Sequence, residues 1–200
     1  MIAILGGTFD PPHLGHEFLA KELLERFNFK ELWIIPTGQP YLNKTTSTAG
    51  SVRLELARAA FEGLDPRISV RDIEVKRAAS TQMRTTTWET LQELRSAGSP
   101  LTMCVGSDQW NQIDSWDHFP AVLKLCHWVV FEREGHPFSG QNHYGLRLGT
   151  ELIFYKTESP EISSSQVRQD IEKTGKINEK MTSQRVKDCL MKHHLYGTKI

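Results

Sequence analysis

Gly6-Gly7-Thr8-Phe9-Asp10-Pro11-Pro12-His13-Leu14-Gly15-His16 lies between a short apolar run, Ile2–Leu5, and a segment in which Leu14, Phe18, Leu23 and Phe27 recur at helical spacing. The stretch therefore reads as the turn between a strand and a helix. Gly6 and Gly7 permit a sharp turn and let bare N–H groups come close to a ligand. Asp10 is expected as the helix N-cap, with Pro11 or Pro12 in the first turn, where a missing N–H costs least. His13 and His16 then share one face of that turn, where the helix dipole favours an anion, and Gly15 keeps the space between them open. A plain Gly-Gly turn or a pair of capping histidines would explain one or two of these residues, not all of them together. Zinc chelation by His-x-x-His lacks a third ligand nearby and lacks the intervening Glu of a metalloprotease. The stretch predicts a phosphate site.

Working outward, short apolar runs alternate with helical patterns. Ile2–Leu5, Leu32–Ile35, Ile68–Val75, Leu101–Val105, Trp128–Phe131 and Leu152–Tyr155 are predicted strands, mostly of the continuous apolar kind found in parallel sheets. Leu54, Ala57, Ala60 and Phe61 mark a second helix; Trp88, Leu91 and Leu94 mark a third. Phe119, Val122 and Leu123 mark a shorter one. This alternation predicts an α/β fold, Rossmann-like and doubly wound, with a mainly parallel sheet and a C-terminal helical segment. Thr37–Gly50 and Glu132–Thr150 break the rhythm and read as loops. Without a repeat or a long linker, residues 1–200 are expected to form one domain.

The chain has 24 basic and 24 acidic residues, which argues against a dedicated nucleic-acid binder but leaves room for a local basic pocket. Cys104, Cys126 and Cys189 are far apart, form no CxxC pair and read as reduced, core or near-core cysteines. No signal peptide and no run long enough to span a membrane is visible, so a cytoplasmic protein is expected.

Near the other end, Ile162-Ser163-Ser164-Ser165-Gln166-Val167-Arg168 opens a further helical pattern, Val167 and Ile171. Its serines supply N-cap hydroxyls and N–H groups, a second anion cradle, and Arg168 lies about one turn in, able to hold a phosphate bidentately. Read alone it is a well-capped helix with one surface Arg. Gly106 and Asp108 follow the Leu101–Val105 run, at the strand end where open α/β sheets place ligands. Asp108 suits either a ribose hydroxyl or a helix N-cap. Trp116 suits either a stacking platform or ordinary packing.

Taken together, Gly6–His16 resembles the GGTFDPxHxGH signature of bacterial nicotinate-mononucleotide adenylyltransferases, part of the wider HxGH nucleotidyltransferase superfamily. Ile162–Arg168 resembles the family's ISSTxIR segment. Gly106-Ser107-Asp108 with Trp116 is similar to its GxD…W stretch, and Lys76–Leu91 resembles its nicotinate-pocket segment more loosely. The resemblance implies adenylyl transfer from ATP, carried with Mg²⁺, to nicotinate mononucleotide. It implies an ATP site formed by Gly6, Gly7, Thr8, Phe9, His16, Gly106, Asp108, Ile162, Ser164, Ser165 and Arg168. His13, His16 and Arg168 are the implied catalytic groups, Thr87, Trp116 and Lys44 the acceptor contacts, and no protein-bound metal is implied. Two departures stand out. Thr85-Thr86-Thr87 replaces the usual Ser-Tyr-Thr, so the aromatic is missing, and Tyr41-Leu42 stands where a Pro-His-Lys run is typical. Another acceptor, such as nicotinamide mononucleotide or phosphopantetheine, and a non-catalytic nucleotide sensor are the competing readings. Lys180–Gln184 faintly resembles the KMSKS loop of tRNA synthetases, but the chain is short for such an enzyme, and Val186, Leu190 and Leu195 continue a C-terminal helix.

Overall fold

In the computed structural model, which describes residues 1–39, 48–95, 98–132, 135, 137–139 and 151–198, each apolar run becomes a strand of one sheet. In chain order these are β1 (Ile2–Gly7), β2 (Glu31–Pro36), β3 (Ile68–Val70), β4 (Leu101–Gly106), β5 (His127–Glu132) and β6 (Leu152–Lys156). They pair in the order β3-β2-β1-β4-β5-β6, every pair parallel. All six residues of β4 are buried, as expected for a central strand covered on both faces. The helices are α1 (Leu14–Arg26), α2 (Gly50–Phe61), α3 (Ile73–Thr81), α4 (Thr87–Arg95), the single turn α5 (Ser107–Trp110), α6 (Ser164–Thr174) and α7 (Gln184–Lys192). This is the expected doubly wound α/β architecture, with its C-terminal helices in place.

Two apolar clusters result, one per sheet face. Leu19, Leu23, Leu56, Phe61, Ile171 and Leu190 bring α1, α2, α6 and α7 onto one face. Leu91, Trp110, Val122 and Trp128 form the other, under α4 and α5. Fully burying each such side chain stabilises the fold by roughly 1.5–3 kcal/mol, which outweighs the weak intrinsic preferences of these short helices.

Four local expectations are corrected. The strand expected at Ile68–Val75 ends at Val70, because after the Arg71 N–H donates to Ile34 O at 2.8 Å the chain leaves the sheet and enters α3. The alternation of Ile73 and Val75 with polar neighbours suits a strand, yet the same residues fit a helix lying on the sheet edge. On α1 the buried face is Leu19, Ala20, Leu23 and Leu24, while Phe18 is 39% exposed. Asp10 does not cap α1: the N-cap is His13, extended at φ −145°, and Pro11 and Pro12 lie before the first turn. The Phe119–Leu123 helix is a 3-10 segment, Ala121–Leu125. The Glu132–Thr150 loop falls largely outside the described residues.

Candidate active site

β1 and β4 lie side by side, with Leu5 opposite Cys104, and the strand order reverses between them. Open α/β sheets bind ligands at such a crossover, beyond the carboxyl ends of the strands. A cleft of about 650 Å³ opens there, lined by Gly6–Phe9, His13 and His16 on one side and by Thr85–Trp88 and Trp116 on another. Gly106, Asp108, Ser163 and Ser164 also line it.

The turn after β1 is shaped by close approaches. A Cβ at Gly7 would lie 2.8 Å from the Phe9 ring, and Phe9 itself has a left-handed backbone at φ 51°. Phe9 packs edge-on against His16 at 5.2 Å and against Phe61 at 5.3 Å, locking the loop to α1 and α2. The His13 and His16 rings stand 3.7 Å apart, and the His13 N–H donates to His16 Nδ1 at 3.3 Å. With Nδ1 accepting, the proton of the neutral His16 ring sits on Nε2, which makes that nitrogen a donor. A Cβ at Gly15 would meet Pro160 O at 3.0 Å and His13 Nδ1 at 3.1 Å. A side chain here would press the segment before α6 away from α1 by a few tenths of an ångström. Ser159 Oγ donates to Gly15 O at 2.9 Å, and Thr157 Oγ1 donates to Glu22.

The second cradle follows. Ser163 caps α6 through Gln166 N at 3.1 Å, and the Gln166 side chain accepts from Ser163 N at 2.7 Å, a reciprocal capping box. Ser164 Oγ donates to Pro11 O at 2.8 Å. Arg168 donates to Asp10 O at 2.7 Å and to Ser165 Oγ at 3.2 Å. Arg168, Ser165 and Ile162 lie outside the cleft wall, tying the second motif to the backbone of the first. Lys44 lies outside the described residues.

On the opposite wall Thr87 opens α4, and Thr86 and Glu89 form a second reciprocal box, Thr86 N to Glu89 at 3.1 Å and Glu89 N to Thr86 Oγ1 at 3.3 Å. The threonine at the place of the expected aromatic therefore has a structural role, and T-x-x-E was legible as a capping signature. For Asp108 the alternatives separate: Gly106 is the N-cap of α5, so the Asp108 carboxylate is a wall of the cleft and not a cap. Trp116 packs edge-on to Trp128 at 6.2 Å, as the packing reading expects, and also lines the cleft.

Sequence reasoning missed the residues beneath the site. Arg53 and Glu74 hold the loop after β2, and Tyr196 holds Asp10, its hydroxyl donating to Asp10 at 2.6 Å. Burial and the Asp10 carboxylate push the Tyr196 phenol up, so it stays a donor. Burial raises the thiols too, Cys126 to about 12 and Cys104 further, so neither offers a thiolate nucleophile. Among the described residues one Cys/His/Glu trio, Glu55, Cys189 and His193, is close enough to hold an ion. It lies on α2, on α7 and just past the end of α7, with Glu55 already accepting from Lys192 at 2.8 Å and paired with His193 at 2.9 Å. None of the three lines the cleft.

A crossover cleft with paired histidines and two helix N-termini defines a nucleotidyltransferase. Residues 4–170 match the Cytidylyltransferase-like family, and the chain belongs to it. Within it the chain is 32% identical to the "Probable nicotinate-nucleotide adenylyltransferase" of Clostridium botulinum (strain Loch Maree / Type A3), over 97% of this chain and 98% of that protein. It is 33% identical to the protein of the same name from Dehalococcoides mccartyi, over 96% and 95%. It is thus a member of the nicotinate-nucleotide adenylyltransferase family. The fold is shared with the nicotinic acid mononucleotide adenylyltransferase of Plasmodium falciparum complexed with NaAD, at TM-score 0.77 and 20% identity over 99% of this chain and 98% of that one. Among the described residues no helix is long and apolar enough to cross a membrane.

Proposed function

We propose that the protein joins the adenylyl group of ATP to nicotinate mononucleotide, releasing pyrophosphate and forming nicotinate adenine dinucleotide, as one cytoplasmic domain of NAD biosynthesis. The observation that carries this reading is a single cleft in which His13, His16 and Ser164 face Thr87 and Trp116 across the ends of β1 and β4. The relatives' names and the dinucleotide in the Plasmodium complex's name support the same substrates.

The acceptor phosphate attacks the α-phosphorus of ATP in line; the α–β bridging oxygen leaves with pyrophosphate, and no covalent enzyme intermediate forms. Catalysis is then positioning and charge stabilisation. His16, through Nε2–H, and His13, with the Gly7–Phe9 backbone, hold the transferring phosphate. Ser164, Ser165 and Arg168 hold the departing pyrophosphate, Arg168 by turning its guanidinium from Asp10 O. Mg²⁺ arrives as part of the ATP, bound by phosphate oxygens and water. Asp108 takes a ribose hydroxyl, Trp116 stacks on the pyridine ring, and the N-terminus of α4 at Thr87 receives the nicotinate carboxylate.

Pyrophosphate release from ATP with a panel of acceptor monophosphates tests this. Nicotinate mononucleotide should exceed the nicotinamide form by about 10- to 150-fold in kcat/KM, the worth of one charge-assisted hydrogen bond. Equal rates, or a preference for the amide or phosphopantetheine, would overturn the acceptor assignment. Absence of turnover with every acceptor would decide for a nucleotide sensor.

A further inference from the structure

Gly38 follows the end of β2 and is buried, and its peptide is held from both sides by charged residues on different helices. From α2, the Arg53 guanidinium, 1% exposed, donates to three backbone carbonyls: Thr8 O at 2.8 Å, Gly38 O at 2.5 Å and Thr48 O at 3.2 Å. From α3, the Glu74 carboxyl accepts the hydroxyls of Thr85 and Thr90, at 2.9 Å each, and takes a backbone hydrogen bond from Gly38, while burial raises its pKa above the usual carboxylate range. Both peptide groups of Gly38 are thereby used, its carbonyl by the Arg53 guanidinium and its N–H by the Glu74 carboxyl. A side chain is excluded as well: a Cβ would be driven into the Glu74 carbonyl and would lie 2.8 Å from Ala78 Cβ.

These partners belong to opposite walls of the cleft. Thr8 is in the phosphate-binding turn after β1; Thr85 and Thr90 carry the start of α4, on the acceptor side. Among the described residues neither Arg53 nor Glu74 forms a salt bridge within 4 Å, and their polar atoms hold backbone and hydroxyl groups in place. A single peptide is the shared point of both networks. Resting on the adenylyl-transfer reading, we propose that Arg53 and Glu74 are positioning residues acting through the Gly38 peptide, which sets the separation between the donor-phosphate turn and the acceptor wall. In-line transfer depends on that separation, since a misplacement near 1 Å can cost on the order of 10²-fold in rate.

The test compares R53K, E74Q, the double variant and G38A with the wild type. Lysine keeps the charge of Arg53 but cannot span three carbonyls; glutamine keeps the shape of Glu74 but replaces one accepting oxygen with a donor; G38A keeps both side chains and displaces the peptide between them. Each single variant should lose about 10- to 100-fold in kcat with ATP affinity within about 3-fold of the wild type. Because both residues act through one peptide, the double variant should fall no more than about 3-fold below the worse single. Losses that multiply, or that appear as weakened ATP binding alone, would overturn the proposal. G38A carries the same test if R53K does not fold: the same kcat loss supports the clamp, and wild-type kcat overturns it. Amide exchange at Gly38, followed by NMR, needs no turnover. Protection in the wild type with at least about 10-fold faster exchange in E74Q and R53K supports the clamp, whereas an unprotected wild-type amide overturns it. If the wild type adenylates no acceptor, the functional reading fails and the exchange result alone decides the clamp.

Discussion

Among the helix N-termini that bound the cleft, those of α1 and α6 are built in opposite ways. At α1 the polar groups facing the cleft are two imidazoles, one of them 2% exposed, fixed by ring contacts to Phe9 and to each other. At α6 a serine–glutamine box caps the helix, and Ser164 and Arg168 bond backward to Pro11 O and Asp10 O. The α1 side is preformed by packing. The α6 side is fastened to it by exchangeable hydrogen bonds, which a phosphate can take over without disturbing the core. A preformed group acts where charge develops in the transition state, and an exchangeable one where a leaving group must be gripped and released.

The sharpest way to break this contrast is His16→Ala. Removing one preorganised donor costs about 10²–10³ in kcat, so turnover should collapse while ATP affinity and the circular-dichroism spectrum stay near wild type. Normal turnover would place the chemistry elsewhere. Next in size is Arg168→Lys, which keeps the charge but loses the planar fork. A charged hydrogen bond is worth about 1.5–3 kcal/mol, so kcat/KM for ATP should drop roughly 10- to 100-fold in steady-state assays. A silent substitution would show that Arg168 only fastens Asp10 O.

Ser163→Ala removes the α6 cap and should cost about 0.5–2 kcal/mol in a denaturant titration. An unchanged midpoint would mean that the Pro11 and Asp10 fastenings hold this helix without its cap. The smallest effect concerns Glu17 on α1, which accepts from Ser183 Oγ at 2.7 Å. Burial raises its carboxyl above the usual range; Ser183, Lys21 and Arg185 oppose this without cancelling it. A raised folded-state pKa contributes stability that is complete below the unfolded carboxylate pKa and is lost as pH rises through the folded value. The wild type should therefore lose a little Tm relative to Glu17→Gln between mildly acidic and neutral pH. A difference that stays flat with pH would contradict this.

How far the sequence could be read depends on the range of the signal. The strand–turn–helix at Gly6–His16 and the helix at Ser163–Arg168 are encoded by neighbours, and both were legible. The end of β3 and the start of α3 were not, because Ile73 and Val75 satisfy either a strand or a helix. Asp10 was misassigned because D-P-P before an apolar run is a good N-terminal signal locally. Its actual partner, Tyr196, is 186 residues away. Thr86, with Glu89 three residues on, carries a readable capping signature.

By itself the sequence determined the parallel α/β fold and the two helix starts at Gly6–His16 and Ser163–Arg168, since apolar runs, turn residues and caps act over a few residues. Only the tertiary structure decided what makes those pieces one site. Gly15 admits Pro160, Tyr196 holds Asp10, and Arg53 and Glu74 meet at Gly38. The physical reason is that these partners are named by geometry alone. A buried guanidinium satisfies any backbone carbonyls within reach, and which carbonyls those are is settled only when the sheet order brings β1 and β2 together beneath α2.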